Sequence, residues 1–184
     1  MIAQCVEALT ALGAPVLIAR DEAGVAQAVT GALQERGVTE VVAWDDPVLE
    51  RFGLAGAAEA AGIRWVAAVP GTDAAGYRAT AVRAGAGVTT ADYAVAETGT
   101  LVLAHGAGRP RMTSLLPPVH LAVVPADRCL PDMAALFDRL GGGQPPTNLT
   151  FVTGASRTGD IEHILIRKVH GPGELVVVIA PPES

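Results

Sequence analysis

The sequence contains few cysteines, few aromatic residues and little charge. Only Cys5 and Cys129 are cysteines, too few for a disulfide framework or for the four thiolates that an iron–sulfur cluster normally needs. We therefore expect both thiols to be free in a reducing cytosol. Hydrophobic residues make up 50% of the 184 residues and charged ones 17%, which is typical of a globular protein and excludes a disordered one.

Basic residues are outnumbered by acidic ones, and long apolar runs are missing. The formal net charge is −6 and no basic stripe is visible, so nucleic acid is not an expected partner. The apolar runs are broken by Gly, Pro or charged residues, so none is long enough to span a membrane. The start, MIAQCVEALT, lacks the basic region and apolar core of a signal peptide. We therefore expect a cytoplasmic protein.

Familiar catalytic and nucleotide-binding motifs are also missing. The stretch GAGRPR at 106–111 lacks the third glycine of a dinucleotide fingerprint, and there is no GxxxxGK[ST] loop. A GxSxG nucleophile elbow is missing as well. The histidines show neither HxxxH nor HxH spacing, so no metal site is predicted. His170, which precedes Gly171-Pro172, is interpreted as a hydrogen-bonded turn residue.

Hydrophobic periodicity predicts an α/β fold with a mostly parallel central sheet flanked by helices. Apolar residues at helical spacing predict helices over 2–12, 21–36, 54–61 and 132–140. Short apolar runs predict strands over 15–20, 40–44, 63–69, 88–90, 101–104, 120–125 and 174–180. The secondary structure of 71–87 is ambiguous. Length alone gives no reason to expect more than a single domain over 1–184.

The densest polar stretch lies between two apolar runs, from Phe151 to Pro172. Ser156 or Thr158 could cap a helix beginning near Gly159, with Asp160 and Glu162 in its first turn. The free N–H groups of such a helix, together with Arg157, would bind a carboxylate or phosphate. Plain capping explains the hydroxyls and Asp160 but not an arginine followed by two acids. Both interpretations stay open.

A second polar segment, Glu97-Thr98-Gly99-Thr100, precedes the strand that begins at Leu101. A glutamate can act as a general base or nucleophile where its surroundings tune its pKa. The alternative is a turn in which Gly99 supplies an unusual backbone angle. Arg109 and Arg111, in a Gly/Pro-rich loop after the same strand, could hold an anion or be solvated surface residues.

Three segments together resemble the LUD domain family, and within it the lactate-utilization protein C branch. The segments are ADYAVAETGTLVL at 91–103, RMTSLLPPVHLAVV at 111–124 and GASRTGDIEHILIRKVHGP at 154–172. The sequence departs from the family pattern at Ala155, Gly159 and the RKV at 167–169, and its N-terminal extension is shorter than the resemblance leads us to expect. The resemblance implies a fold like that of the NagB, ribose-5-phosphate isomerase and CoA-transferase group, which agrees with the α/β pattern.

The resemblance also implies a role in oxidising L-lactate to pyruvate alongside two partner proteins. One would be an iron–sulfur protein with its own LUD domain, and the other a second cysteine-rich protein. This chain would carry no cofactor and would be a non-redox subunit that binds a small carboxylate or phosphate-bearing ligand; a homo-oligomer remains open. The ligand-binding candidates are Glu97, Thr98, Gly99, Thr100, Ser156, Arg157, Thr158, Asp160, Glu162 and His170.

The alternative function is a stand-alone enzyme of the same fold group. Its reaction would be acyl-CoA transfer, sugar-phosphate isomerisation or a step like that of 5-formyltetrahydrofolate cyclo-ligase, with Glu97 as the best catalytic candidate. Fold analogy is its only support. In either case we expect both polar loops at the carboxyl edge of the parallel sheet, where ligands of α/β proteins bind.

Overall fold

The computed structural model describes residues 1–142, 146, 148–159, 165–167 and 171–183. In this part of the chain the helices are α1 Ile2–Ala11, α2 Glu22–Glu35, α3 Pro47–Arg51, α4 Leu54–Ala60, α5 Ala74–Arg83, α6 Met112–Leu115 and α7 Met133–Gly141. None of them combines the length and apolar character that crossing a membrane requires. The strands are β1 Val16–Ile18, β2 Glu40–Trp44, β3 Arg64–Ala68, β4 Ala86–Thr90, β5 Tyr93–Val95, β6 Thr100–His105, β7 Val119–Pro125, β8 Cys129–Leu130, β9 Asn148–Val152, β10 Arg157–Gly159, β11 Leu165–Arg167 and β12 Glu174–Ala180.

A six-stranded parallel sheet forms the centre of the fold, in the order β1-β12-β7-β4-β2-β3. Every residue of β7 is buried, and so is all of β12 after Glu174. Strands covered on both faces read as continuous apolar runs, which is why HLAVVP and LVVVIA were recognisable in the sequence. The prediction of an α/β fold with a mostly parallel sheet is confirmed.

A second sheet, which the sequence analysis did not separate from the first, has the order β8-β5-β6-β9. Its strands β5 and β6 form an antiparallel pair joined by a turn at 96–99, and β9 pairs antiparallel with β6. The strand β5 has only three residues, too few to show a period in the sequence. This sheet carries the Glu97–Thr100 segment away from the central sheet.

The helix predicted to begin near Gly159 is wrong. Arg157–Gly159 is instead a strand, β10, which pairs antiparallel with β11 so that Thr158 lies opposite Ile166. The apolar run at 164–166 includes two isoleucines, and β-branched side chains fit a strand better than a helix. Asp160 and Glu162, expected in the first turn of that helix, lie outside the described residues.

The ambiguous stretch 71–87 contains a loop, helix α5 and the start of β4. The carboxylate of Asp73 caps α5 by accepting a hydrogen bond from Gly76 N at 2.7 Å. Only Tyr77 and Ala81 of α5 are fully buried, so its apolar face is narrow. A narrow face of this kind leaves little hydrophobic pattern in the sequence.

Candidate ligand-binding cleft

A cleft of about 430 Å³ opens at the amino edge of the central sheet. His120 and Leu175 form part of its floor, each one residue after the start of its strand. Segment 150–156, at the end of β9, forms one wall, and Ser114, Leu115, Leu12, Gly171 and Pro172 complete the lining. The volume is within the range of pockets that bind small molecules and cofactors.

Two of the three segments that carry the family resemblance line this cleft, and the remaining one adjoins it. Ser114, Leu115 and His120 come from the RMTSLLPPVH segment, and 154–156 with 171–172 come from the two ends of the third segment. The first segment reaches the rim through Thr100, whose hydroxyl lies 2.9 Å from that of Thr153. Positions far apart in the chain are thus brought to one place in the fold.

The hydroxyl groups of three threonines form a chain along this rim. Thr98 Oγ1 donates to Thr100 Oγ1 at 2.8 Å, and Thr100 in turn is hydrogen bonded to Thr153. Thr100 is buried, whereas Thr98 and Thr153 are exposed. The chain therefore couples the turn at 96–99 to the wall of the cleft.

Glu97 itself is exposed on this turn. Its backbone N–H donates to Pro131 O at 3.0 Å, and its carboxylate makes no hydrogen bond or ion pair with any residue that the structure describes. Gly99 has φ +65, and a Cβ there would lie 2.9 Å from backbone atoms of Ala8 and Leu9 in α1. The interpretation of this segment as a turn with an unusual glycine angle is therefore confirmed. The catalytic role of Glu97 stays a prediction.

His120 is the buried titratable group of the cleft. It is 1% exposed, and its Nε2 shares a hydrogen bond of 2.8 Å with Thr89 Oγ1 on the neighbouring strand β4. Burial lowers the pKa of His120 from 6.5 to about 4. The imidazole is therefore neutral at physiological pH, and it can act in the cleft as a hydrogen-bonding group but not as a cation.

Most of the other hydroxyl side chains in the described lining already form hydrogen bonds within the protein. Ser114 Oγ donates to Arg111 O at 3.1 Å, and Thr150 Oγ1 lies 2.8 Å from His105 Nε2. Apolar side chains such as Leu115 and Phe151 are partly exposed at the mouth. The described lining contains no Asp, Glu, Lys or Arg, so any charge recognition there must come from residues outside this set.

The sequence-predicted loop at 156–162 reaches the cleft only in part. Ser156 lines it, and its N–H donates to Pro172 O at 3.0 Å. Arg157 and Thr158 follow directly, in β10. Asp160, Glu162 and His170 lie outside the described residues.

The expectation that the polar loops lie at the carboxyl edge of the sheet is wrong. Ser156 and the Glu97 turn lie on the amino side of the central sheet. After the end of β4, strand β5 carries the chain towards that side, and the antiparallel strand β6 then carries it back. The carboxyl edge between β2 and β4 is instead closed by Arg109. Its guanidinium forms two hydrogen bonds with Asp92, at 2.9 and 3.1 Å, and its Nε lies 3.2 Å from Asp46.

Further contacts fix Arg109 in this position. Its guanidinium carbon lies 4.3 Å from the centre of the Trp44 ring, a cation–π contact. Asp46 accepts hydrogen bonds from Thr90 Oγ1 and Val48 N. Arg109 is therefore neither a solvated surface residue nor a free anion-binding group, while Arg111 is exposed.

Cys5 and Cys129 lie together between α1 and β8, both buried. Their hydrogen bond lowers the pKa of the Cys5 thiol and raises that of Cys129. Two buried thiols do not provide the ligand set of an iron–sulfur cluster. Among the described residues there is also no group of three or more His, Cys, Asp or Glu side chains that could hold a metal ion.

Sequence reasoning missed Ser114, His120 and Thr153 as parts of the site. Ser114 and His120 stand within the SLLPPVH stretch, which was used only as a sign of family. The sequence did contain a signal for His120. It is a polar residue at the start of an otherwise apolar buried strand, and the start of a strand lies at the edge of a sheet. Thr153 directly follows the short apolar run Phe151-Val152.

Comparison with known proteins supports the resemblance. The sequence matches the LUD domain family over residues 2–180. It is 34% identical over 152 residues to lactate utilization protein C of Halalkalibacterium halodurans, covering 79% of this chain and 64% of that protein. It is 31% identical over 158 residues to lactate utilization protein C of Macrococcus caseolyticus, covering 83% of this chain and 66% of the relative. The chain thus spans about two thirds of the length of these relatives.

The fold has a solved counterpart. The crystal structure of a DUF162 family protein from Deinococcus radiodurans superposes with a TM-score of 0.64, covering 97% of this chain and 95% of that one at 23% identity. This likeness concerns the fold alone. The match over residues 2–180 shows that the chain belongs to the LUD domain family.

Proposed function

We propose that this chain, a single LUD domain over 1–184, acts in lactate utilization as a non-redox component that binds a small anionic ligand at the amino-edge cleft. The observation that carries the proposal is the convergence of the three family-like segments on this cleft. The names of the two relatives supply the metabolic context.

Arg157 would provide the positive charge for the ligand. It follows Ser156, whose backbone is held in the cleft wall by Pro172. Guanidinium groups bind carboxylates and phosphates through paired hydrogen bonds, and a cleft with a neutral described lining leaves that role to a neighbouring residue. Thr158, Asp160, Glu162 and His170 remain candidates for the same site.

Electron transfer would take place on partner proteins. The two cysteines of this chain are buried against each other, and two thiolates fall short of the four that an iron–sulfur cluster normally needs. An iron–sulfur protein with its own LUD domain, together with a second cysteine-rich protein, would therefore hold the redox centres. The cytoplasm is the compartment in which such a complex would work.

Titration calorimetry with L-lactate and pyruvate tests the ligand proposal. We expect Arg157→Ala to weaken binding by about tenfold or more and to leave the melting temperature unchanged. Arg64→Ala is the control, because Arg64 lies on edge strand β3, its side chain is 68% exposed, and it is not part of the cleft. Wild-type protein that binds neither acid, or an Arg157→Ala variant that loses stability alone, would contradict the proposal.

A reconstitution experiment tests the role in a complex. The chain would be combined with the two partners from its source cell, and lactate-dependent dye reduction would be measured with and without it. We expect activity to require this chain and to fall with Arg157→Ala but not with Arg64→Ala. Dye reduction that is independent of the chain would refute membership in the complex.

The stand-alone enzyme remains the second hypothesis, and it requires a reactive Glu97. Incubation with an acyl-CoA followed by mass spectrometry would reveal a glutamyl thioester, with Glu97→Gln as the control. The exposure of Glu97 and its lack of described partners favour the subunit role, since catalytic carboxylates are usually tuned by burial or by charged neighbours.

A further inference from the structure

We propose that two copies of this chain associate through the edge strand β1, so that their central sheets join into one continuous sheet. This inference is independent of the ligand proposal, because no residue of β1 is among the described residues that line the cleft. In the described part of the chain, β1 has only β12 as a neighbour. An edge strand with an unpaired side is a template for another strand.

The backbone of β1 shows which groups are available. Pro15 O accepts a hydrogen bond from Val177 N, and Ala19 N donates to Ile179 O, both at 2.9 Å. Hydrogen-bonding directions alternate along a strand, so Val16 and Ile18 direct their N–H and C=O groups away from β12. These groups face outward from the sheet, where a second strand can pair with them.

A two-fold axis through Leu17 uses all of these outward groups. It places two copies of β1 antiparallel, with Val16 opposite Ile18 of the second copy. Each such pair exchanges both of its hydrogen bonds, while Leu17 faces its own counterpart at the closer, non-hydrogen-bonded position. An interface of this kind is isologous and closes as a dimer. The register thus follows from the alternation of the β1 backbone.

The side chains around β1 suit this arrangement. Ile18 is 61% exposed and Leu17 36% exposed, so the strand presents apolar surface to solvent. Next to it runs a groove of about 730 Å³ between β1 and α2, with Gly24, Ala28 and Gly31 among its lining residues. Small residues on the helix leave room for apolar side chains from a second copy.

Charges at the two ends of this groove favour a second copy over an unrelated partner. Arg20 lies just beyond β1, and Glu35 lies at the far end of α2, which runs back along the strand. Antiparallel pairing brings Arg20 of one copy towards Glu35 of the other, twice in each dimer. Asp21, beside Arg20, is engaged in capping α2 through Gly24 N at 2.7 Å.

Glu35 is available for such a pair. Its side chain is 79% exposed and lies 3.7 Å from Arg36, an arginine that also bonds to Glu174. The net charge of −6 on each copy opposes association, but salt at physiological concentration screens it beyond about 8 Å. The local charge pairs across the interface are closer than that and are screened less.

Sedimentation equilibrium over a range of concentrations tests the dimer. We expect the wild-type chain to approach twice its mass of 18.7 kDa. Ile18→Lys places a charge at the strand edge and should give a monomer. Val82→Lys is the matched control, since Val82 is 58% exposed on α5 and should leave the dimer intact. A wild-type protein that stays monomeric, or an Ile18→Lys variant that stays dimeric, would overturn the proposal.

A charge swap tests the register with surface substitutions that do not threaten folding. Arg20→Glu and Glu35→Arg should each weaken dimerisation by about tenfold. The double variant restores opposite charges across the two-fold axis and should recover wild-type association. A double variant as weak as the single ones would rule out the antiparallel arrangement. Circular dichroism of each variant checks that it is folded. If Ile18→Lys unfolds, the charge-swap variants alone test whether the dimer forms as proposed.

Discussion

The hydroxyl groups of Thr100 and Thr153 lie 2.9 Å apart and join the β5–β6 turn to the wall of the cleft. Thr100 also accepts the hydrogen bond from Thr98. This hydrogen bond adds a side-chain link between two segments that are widely separated in the sequence. The link belongs to the second sheet, where β6 and β9 are adjacent strands.

Thr100→Val should destabilise the protein by about 1 kcal/mol, because valine keeps the shape of threonine but loses both hydrogen bonds. Thr153→Val should cost less, since Thr153 is exposed. Urea denaturation of both single variants and of the double variant gives a coupling energy. Strictly additive effects would show that the two hydroxyls do not interact in solution.

Gly99→Ala should destabilise the protein by about 2–3 kcal/mol, because the new Cβ would both strain the backbone and press on α1. Gly37→Ala is the control: its φ of +63 is nearly the same, but nothing lies within 4 Å of its Cβ position. We expect the control to cost about 1 kcal/mol, the backbone strain alone. Equal losses in thermal denaturation would mean that α1 does not pack tightly on the turn.

Arg109→Met should destabilise the protein by about 2–3 kcal/mol, since it leaves Asp46 and Asp92 without their cation at a partly buried place. Arg111→Met, on the same loop but exposed, should change stability little. Chemical denaturation of both variants makes the comparison. Similar stabilities for the two would show that the ion pairs contribute no more than ordinary surface pairs.

Stability should fall on acidification partly because of His120. Its folded-state pKa of about 4 lies below the unfolded value of 6.5, so protons bind preferentially to the unfolded chain in this interval. Above pH 6.5 the protonation of His120 has no effect on the free energy of unfolding. Near pH 4 its preferential protonation in the unfolded chain lowers that free energy by about 3 kcal/mol. His120→Gln should therefore show a flatter decline of the free energy of unfolding.

The comparison of wild type with His120→Gln isolates this residue, because every other ionisable group, including His105, is present in both proteins. The pKa of His105 is also lowered, chiefly by burial, so it adds a decline of the same sign to each. Parallel curves of free energy of unfolding against pH would show that folding does not lower the pKa of His120.

The central sheet could be predicted from the sequence, because its strands are short, mostly apolar and bounded by turn residues. The strand predicted at 40–44 is β2 as observed, and the helix predicted over 21–36 is α2 with one residue less at each end. In α2 the four-residue repeat of Val25, Val29 and Leu33 marks the buried face.

The second sheet and the cleft could not be predicted in the same way. β5 and β8 are too short to carry a period, and their pairing is set by contacts between segments distant in the chain. The helix expected near Gly159 failed because Ser and Thr before an apolar run fit a hairpin as well as a helix cap. Ser156 lies at the amino edge of the central sheet because of the path that the chain takes through the second sheet. Since that second sheet was not predicted, the edge could not be predicted either.

The Arg109 cluster at the carboxyl edge has a consequence for sequence variation. One guanidinium contacts two carboxylates there and covers the Trp44 ring, so the loss of the arginine leaves both aspartates without their cation. We expect Asp46, Asp92 and Arg109 to change together among LUD domain sequences. Family members that lack this arginine should also lack the two aspartates, and their carboxyl edge would then be free to receive a ligand.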